Sequence, residues 1–248
     1  NTFVAMRNTL DDFCSGHDSL SPAQLNDELV AMSESLDDLP DFLVGAPLVN
    51  VQAQTDADGN VVSNTYTLNL SYGSGIAVAG AGFLLNDEMD DFAAKPGVPN
   101  AFGLIGGEAN AVEPGKRPLS SMTPVIVFRD GEPWFATGSP GGSRIITAVL
   151  QMVVNMIDHG MNIADASHRP RIHHQWFPDK LSIEVGFGVD TIRLLEERGH
   201  TIDVRGSLGT SLQSVAYKDG LFRGASDPRR PNSGAAAPRP ALDAAASE

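Results

Sequence analysis

The sequence has a single cysteine, Cys14, among its 248 residues. One cysteine excludes an internal disulfide framework and a cysteine-rich metal site. Basic residues are also scarce, because 17 lysines and arginines stand against 31 acidic residues and the formal net charge is −14. A chain with this charge balance lacks the basic surface that phosphate backbones attract, so we expect no nucleic-acid partner.

Long apolar runs and an export leader are absent from the sequence as well. No stretch approaches the roughly 18 apolar residues of a membrane helix, so we expect no membrane span. No basic segment followed by an apolar one opens the chain. The first residue is Asn1 rather than Met, which suggests that an upstream part is missing or has been removed. The 42% of hydrophobic residues is typical of a globular chain with a sizeable core.

Composition divides the chain into three expected regions. Residues 1–46 are acidic and carry helical apolar spacing, which predicts an amphipathic helical segment. Residues 47–228 mix strand and helix patterns, punctuated by glycine and proline, and form the expected domain. Residues 229–248 are rich in alanine and proline without periodicity, which predicts a disordered tail.

Three hairpins are predicted in the middle region from alternating apolar and polar residues around short turns. Their turns lie at residues 56–60, at Asp130-Gly131 and at Asp219-Gly220. Between the last two, residues 181–186 and 200–204 read as short strands and residues 189–200 as a helix ended by Gly199. Hairpins that alternate with helices favour antiparallel sheets layered with helices over a parallel doubly wound sheet.

A longer helix is predicted after the adjacent glycines Gly141 and Gly142, with Ser143 as its N-cap. Its expected core-facing stripe consists of Ile145, Ile146, Val149, Leu150, Val153, Val154 and Ile157. The glycine pair itself lets a ligand approach the backbone closely, and the N–H groups at a helix start attract negative charge. The pair therefore suits a phosphate, a carboxylate or a transient oxyanion.

Other polar or glycine-rich runs allow both a structural and a functional interpretation. The run "LLNDEMDDF" places five acidic or amide side chains after an apolar strand. This run forms either a solvated turn or a binding site. In "KRPLSSMTP", Ser120 and Ser121 follow Lys116 and Arg117. These residues form either a polar turn or a site that binds a carboxylate. The loop "KPGVPNAFGLIGG", residues 95–107, is long enough for a lid.

The histidines of "HRPRIHHQW" raise the question of a metal. His168, His173 and His174 lie close together in sequence, but no acid or further histidine stands at a ligand spacing. We therefore expect a packed structural turn and no metal.

Several motifs together resemble those of one family. They are "TYTLN", "GFLLNDEMDDF", "KPGVPNAFGLIGG", "KRPLSSM", "TGSPGGSRIITAVLQMVVN", "PRIHHQW" and "GASDPR". In this order and spacing, from about residue 56 to 229, they resemble the small-subunit half of the γ-glutamyltransferases, the glutathione hydrolases of the N-terminal-nucleophile hydrolase superfamily. The resemblance implies an α+β fold, a four-layer αββα sandwich of two antiparallel sheets between helix layers.

The same resemblance implies a role for each unusual residue. Gly141 and Gly142 match the oxyanion hole, and residues 95–107 match the lid over the pocket. Ser120 and Ser121 match the serines that hold the α-carboxylate of the γ-glutamyl donor. Asn69, Glu88 and Asp91 match the residues that hold the α-amino group of the donor. Thr67 matches the threonine that supports the nucleophile.

The sequence departs from the family at the nucleophile. In the family a Thr-Thr-His run stands seven residues before the aspartate that matches Asp56, and ungapped counting puts Val49 at the first threonine. That threonine cleaves its own preceding peptide bond and then attacks the donor, whereas a valine side chain is inert. A register slip to Thr55 would place the hydroxyl about 20 Å along the strand.

Two interpretations therefore stay open, together with a weaker one. The chain belongs to a working γ-glutamyl hydrolase or transferase with a divergent processing region, or it is an inactive, unprocessed relative that binds or has a structural role. An acylase-like relative with another amide substrate is the third. The implied partners are an N-terminal large-subunit segment of the same precursor, which supplies an arginine for the substrate carboxylate, and a small γ-glutamyl donor such as glutathione. The family implies a periplasmic or extracellular location and no cofactor.

Overall fold

The structure is a computed structural model that describes residues 50–55, 59–218, 221–230 and 233–236. The chain divides into two units, and the described part of the first is Thr67–Asp90. The second contains Asn50–Tyr66 and the chain from Asp91 onward. The predicted acidic helical segment, residues 1–46, and most of the predicted tail lie outside the described residues.

The described elements alternate short strands with a few helices. The strands are β1 Asn50–Thr55, β2 Val61–Tyr66, β3 Ala77–Val78, β4 Phe83–Leu84, β5 Val125–Arg129, β6 Glu132–Gly138, β7 Ile172–His173, β8 Leu181–Glu184, β9 Ile202–Arg205, β10 Gln213–Lys218 and β11 Leu221–Ser226. The α-helices are α1 Arg144–Ile157, α2 Ile163–His168 and α3 Val189–Glu197. Two 3-10 helices span Glu88–Asp91 and Glu108–Asn110.

The main sheet of the second unit is antiparallel, with strand order β11-β10-β6-β5. Its hairpin β5–β6 turns at Asp130 and Gly131, whose φ angles of 55° and 87° both lie in the left-handed region. Such a turn matches the right-handed twist of the two strands. The predicted hairpin of β1 and β2 is confirmed, with a register that runs from Asn50 opposite Tyr66 to Thr55 opposite Val61. Strands β10 and β11 confirm the third hairpin, whose turn lies outside the described residues.

The core of this unit forms where helix α1 packs on the main sheet. The buried side chains of α1 are Ile145, Ala148, Val149, Met152 and Met156. They pack with Phe135, Leu212 and Ala216 of the sheet side. Spacings of three and four residues place them on one helical face.

The predicted stripe of α1 is wrong for three of its seven members. Ile146, Leu150 and Ile157 are 49%, 58% and 48% exposed. The prediction favoured the branched aliphatic residues, but the sheet selects the face that carries Ala148 and Met152. An adjacent residue is turned by about 100° around the helix axis, so Ile146 and Leu150 point away from that face.

Ser143 occupies the N-cap position of α1, but its side chain makes no capping hydrogen bond. Its backbone is helical, with φ −57° and ψ −25°, whereas a capping residue usually has an extended conformation. Its hydroxyl donates instead to Oε1 of Gln175 at 2.8 Å. The expected side-chain cap is therefore wrong, and Ser143 connects the helix start to another loop.

A third sheet has the order β7-β8-β9 and contains a parallel pair. Strands β8 and β9 run parallel and are connected by α3, which is the crossover that a parallel pair requires. Helix α3 is followed by Gly199 at φ 93°, the left-handed residue expected at a helix end. Apart from this pair, the described strands pair antiparallel, as the sequence predicted.

The described part of the first unit contains the two-stranded antiparallel sheet β3–β4 and loops. Gly73 is required here, because a Cβ at its φ of 56° would lie 2.1 Å from the carbonyl oxygen of Leu85. None of the helices in the described residues is long and apolar enough to cross a membrane.

Candidate functional site

The glycine pair lies in the short connection between β6 and α1. Gly141 has φ 137° and Gly142 has φ 59°, so both adopt backbone conformations that side chains disfavour. Their carbonyl oxygens accept from the first amides of the helix, at 3.2 Å and 3.1 Å. In the part of the chain that the structure describes, the two glycine amides donate no hydrogen bond. Two adjacent amides are thus available to an external acceptor.

Each glycine is in close contact with a neighbouring loop. A Cβ on Gly142 would lie 2.5 Å from the ring of Phe102, in the predicted lid. A Cβ on Gly141 would lie 2.8 Å from Cγ2 of Thr210. Any side chain at either position would displace these neighbours, so the packing as well as the backbone conformation requires glycine.

The predicted lid, residues 95–107, is a loop whose two ends are joined by a hydrogen bond. The amide of Gly97 donates to the carbonyl of Gly106 at 2.9 Å and closes its base. Oδ1 of Asn100 accepts from the amides of Phe102 and Leu104, both at 3.0 Å, and shapes its tip. These bonds hold the loop in the conformation that places Phe102 against Gly142.

Thr210 belongs to a loop held by buried charges. We call Arg171, Glu184, Asp227 and Arg229 the buried charge cluster; the first three are 1–2% exposed. Arg171 is hydrogen-bonded to Asp227, and Arg229 bonds both Asp227 at 3.0 Å and Glu184 at 3.1 Å. Buried charges persist only when they are paired and hydrogen-bonded in this way.

The cluster anchors alternate residues of the loop 208–212. The amide of Leu208 donates to Glu184 at 3.0 Å, and the amide of Leu212 donates to Asp227 at 2.9 Å. Between them, Nη1 of Arg171 donates to Oγ1 of Thr210 at 3.0 Å. The loop that packs on Gly141 is therefore fixed by three buried charged side chains.

The pKa values in the cluster follow from this pairing. Burial raises the pKa of Asp227, but the charge of Arg171 and hydrogen bonds from Arg229, Arg171 and Leu212 lower it more. Its net pKa lies below the ordinary value of 3.8. Burial lowers the pKa of Arg229, but its hydrogen bonds to Glu184 and Asp227 outweigh that effect and raise it. The pairing thus favours the ionised forms of Asp227 and Arg229, whereas burial lowers the pKa of Arg171.

Three of the predicted donor-binding residues of the second unit are connected in the structure. The carbonyl oxygen of Asp91 accepts from Nδ2 of Asn110 at 2.7 Å, and Oδ1 of Asn110 accepts from the amide of Leu119 at 3.1 Å. Leu119 directly precedes Ser120 and Ser121. The amide of Met122 donates to Oγ of Ser120 at 3.3 Å, which leaves the hydroxyl hydrogen of Ser120 available to a carboxylate.

In the first unit the structure brings together three other predicted residues. Oγ1 of Thr67 accepts from the amide of Asn69 at 2.9 Å. Asn69 has φ 70°, and its Nδ2 donates to the carbonyl of Asp87 at 2.9 Å, next to Glu88. Asn69 keeps its side-chain oxygen as an acceptor. Thr67, Asn69 and the start of the acidic run therefore form one hydrogen-bonded group within this unit.

Val49, the residue predicted at the nucleophile position, lies outside the described residues. Strand β1 begins at the next residue, Asn50. Thr55, considered as a substitute, lies at the other end of β1, opposite Val61.

The three histidines have three different sets of partners. His168 faces the carbonyl of Ser226 at 3.3 Å, and His174 bonds the carboxylate of Asp179 at 3.0 Å. His173 lies between Oγ1 of Thr147 at 2.8 Å and Oε1 of Gln175 at 3.0 Å. Among the described residues, no three His, Cys, Asp or Glu side chains gather as metal ligands would.

His173 is part of a polar chain that reaches the helix start. Oε1 of Gln175 accepts from both His173 and Ser143, so Nε2 of His173 carries the ring hydrogen. Burial lowers the pKa of His173 and outweighs the hydrogen bond to Gln175, which raises it; the charges of Arg144 and His174 lower the pKa further. The neutral ring is therefore the form that fits this site.

Four residues of this arrangement were missed in the sequence: Phe102, Asn110, Gln175 and Thr210. Phe102, Gln175 and Thr210 belong to loops and Asn110 ends a short 3-10 helix, and the contact of each lies across a turn or on another element. Periodicity carries no information on such contacts. A weak signal was present for Gln175, because it directly follows the histidine pair in an otherwise apolar and basic run.

The chain is similar to known proteins over most of its length. The sequence model of gamma-glutamyltranspeptidase matches residues 52–237. The glutathione hydrolase proenzyme of Escherichia coli strain K12 is 58% identical over 174 residues, which make up 70% of this chain and 30% of that protein. The chain spans about a third of the length of the curated proenzymes that it matches.

Solved structures show the same similarity. The T380A mutant of Helicobacter pylori gamma-glutamyltranspeptidase has 48% identity and a TM-score of 0.70, over 73% of this chain and 99% of that one. The Pseudomonas nitroreducens gamma-glutamyltranspeptidase complexed with L-DON has 44% identity and a TM-score of 0.70, over 76% of this chain and 99% of that one. These similarities confirm the α+β fold class that the sequence resemblance implied.

Proposed function

This chain belongs to the gamma-glutamyltranspeptidase family, and we propose that it carries the part of such a protein that binds the γ-glutamyl donor and stabilises its oxyanion. The observation that carries the proposal is the glycine pair. Gly141 and Gly142 present two adjacent amides that no described group uses, with Phe102 of the lid packed on the second glycine.

In acyl transfer, a nucleophile adds to the γ-carbonyl carbon and negative charge develops on the carbonyl oxygen. The amides of Gly141 and Gly142 would donate to that oxygen. Donors that are already oriented need no reorganisation during the reaction, and loss of one such donor costs about 3–4 kcal/mol of transition-state stabilisation. The buried charge cluster would keep Gly141 oriented through Thr210.

The head group of the donor needs donors for its carboxylate and acceptors for its ammonium. Ser120 and Ser121 supply hydroxyl donors, and Asp91 supplies a carboxylate acceptor. The roles that the resemblance implies for Thr67, Asn69 and Glu88 stay predictions.

The step that breaks the amide bond needs a nucleophile. The family match begins at Gln52, three residues after Val49, and valine offers no hydroxyl. Hydrolysis or transfer of the γ-glutamyl group by a protein with a divergent processing region is the first candidate, and the donor-binding residue types in the sequence are the observation that favours it. A catalytically inactive, unprocessed binding protein is the second candidate, and Val49 is the observation that favours it.

A large-subunit segment of the same precursor is the proposed partner. The curated relatives are proenzymes about three times as long as the matched stretch. The outward face of α1 exposes Ile146, Leu150 and Ile157 by about half each, which is apolar surface suited to a partner segment. By resemblance to the family, we also propose a periplasmic or extracellular location.

Expression of the full natural reading frame tests the proposal. A working enzyme gives two bands on a denaturing gel and releases the chromophore from γ-glutamyl-p-nitroanilide. The inactive candidate gives one band and no release, but its melting temperature still rises with added glutamate, since a ligand of the native state stabilises it. One band, no release and no glutamate-dependent rise would contradict both candidates.

A further inference from the structure

Asn110 connects two loops that carry opposite ends of the proposed head-group site. Its Nδ2 donates to the backbone carbonyl of Asp91, and its Oδ1 accepts from the amide of Leu119, next to the serine pair. The two bonds fix the orientation of the amide, because a flipped amide would face oxygen with oxygen and N–H with N–H.

Residues 112–124, which contain Ser120 and Ser121 and which we call the serine loop, have few other contacts that hold them in place. Residues 112–124 contain neither strand nor helix, and Leu119 itself is 63% exposed. The other hydrogen bonds of this loop are local, such as Met122 to Ser120 and Thr123 to Ser121. In the described part of the unit, the parallel bridge between Ala111 and Ala93 holds the start of this loop, and the bond from Leu119 to Asn110 ties its middle to the rest of the unit.

The backbone of Asn110 is anchored on the Asp91 side and on the lid side. Its carbonyl accepts from the amide of Ala93 at 2.8 Å, and its own amide donates to the carbonyl of Gly107 at 3.0 Å. At the base of the lid, a Cβ on Gly106 would lie 2.7 Å from Cβ of Ala93. Asn110 thus joins the Asp91 segment, the end of the lid and the serine loop at one residue.

We infer that Asn110 is a positioning residue that sets the spacing between Asp91 and the pair Ser120 and Ser121. An α-amino acid carries its ammonium and carboxylate on one carbon, so a site that holds both at once requires a fixed separation of the two loops. The inferred consequence is selectivity for ligands with both groups over ligands with one. This inference rests on the proposed function and specifies how its site recognises the donor.

The chemistry of Asn110 is difficult to replace. Leucine has a similar shape but makes neither bond, so Asn110→Leu releases the serine loop. Aspartate still accepts from the amide of Leu119 but repels the carbonyl of Asp91. Asn155→Leu is a matched control, because Asn155 also donates to a backbone carbonyl, that of Ala166 at 3.4 Å, but within the helical part of the unit.

The test is calorimetric titration of the protein expressed from the full reading frame with three ligands. Glutamate carries both groups, glutarate lacks the ammonium, and 4-aminobutyrate lacks the α-carboxylate. We expect Asn110→Leu to weaken glutamate binding about 10-fold or more, and binding of the two partial ligands less than about 3-fold. The loss of glutamate affinity in Asn110→Asp should lie between those of the wild type and Asn110→Leu. Asn155→Leu should keep the wild-type ratio of affinities for glutamate and the partial ligands.

The outcomes separate the inference from the proposed function. If wild-type protein binds none of the three ligands, the proposed function is contradicted. If wild type prefers glutamate and Asn110→Leu keeps the same preference, the role of Asn110 is wrong although the proposed function stands. A purely structural role would lower the melting temperature without changing the ratio of affinities, and that result would also overturn the inference.

Discussion

The ring of Phe102 lies directly against the backbone of Gly142, so that a Cβ added to this glycine would meet the ring at 2.5 Å. The lid and the glycine pair are therefore in van der Waals contact within the second unit. This contact joins the loop predicted to cover a pocket to the residue predicted to stabilise charge in it.

Substitution of Gly142 by alanine tests this contact. Alanine at φ 59° costs about 1–2 kcal/mol in backbone strain, and displacement of the ring adds about 1–3 kcal/mol. Gly160→Ala is the matched control, because Gly160 has φ 63° and open space around it. Urea unfolding should show a larger loss of unfolding free energy for Gly142→Ala than for Gly160→Ala. Adding Phe102→Ala to the Gly142→Ala protein should remove part of this difference. Equal losses at both glycines would contradict the contact.

Removal of the Asp227 charge should destabilise the fold strongly. Asp227→Asn leaves Arg171 buried beside a neutral amide, and loss of one partner of a buried pair costs about 3–5 kcal/mol. The free energy of unfolding in urea measures this loss. Asp190→Asn is the control, because the Asp190 side chain is 85% exposed beside Arg193 and should change stability little. A loss at Asp227 no larger than at Asp190 would show that the buried charge cluster does not hold the loop 208–212.

The low pKa of His173 predicts a stability that depends on pH. The folded protein favours the neutral ring, whereas the ring in the unfolded chain titrates near its ordinary value of 6.5. The contribution of His173 is therefore complete above pH 6.5 and is lost as the pH falls through 6.5 towards the folded pKa. Unfolding measured between pH 7.5 and 5 should show this decrease.

The variant His173→Gln, which does not titrate, should show a smaller decrease over the same range. If the wild type and the variant have parallel profiles, the buried neutral state of His173 is wrong.

A threonine at Val49 tests the register that places this residue at the nucleophile position. In Val49→Thr, expressed from the natural reading frame, the hydroxyl would attack the preceding peptide carbonyl, and the C–N bond would break to leave an ester and a free α-amine. Water would then hydrolyse the ester and release the hydroxyl. We expect two bands on a denaturing gel. Val49→Ala alters the same position without a hydroxyl and should stay uncut. A single band for both variants would contradict the register or the integrity of the proposed site.

The hairpins were predictable because their evidence is local. Alternation and a turn such as Asp130-Gly131 specify both strands and their connection within fifteen residues. The stripe of α1 was only partly predictable, since several apolar faces were possible and the sheet selects the one with Ala148 and Met152. The glycine pair was recognisable as a ligand site, but its contacts with Phe102 and Thr210 were not.

The sequence by itself determined the family, the strand and helix patterns and the types of side chain that suit a γ-glutamyl head group, because each of these depends on residue identity and short spacing. The tertiary structure decided which loops support those side chains. Asn110 connects Asp91 to the serine loop, and Arg171 supports Thr210 beneath Gly141, through hydrogen bonds between residues 9 to 39 positions apart. Such pairings depend on how the chain returns on itself, and no local pattern records them.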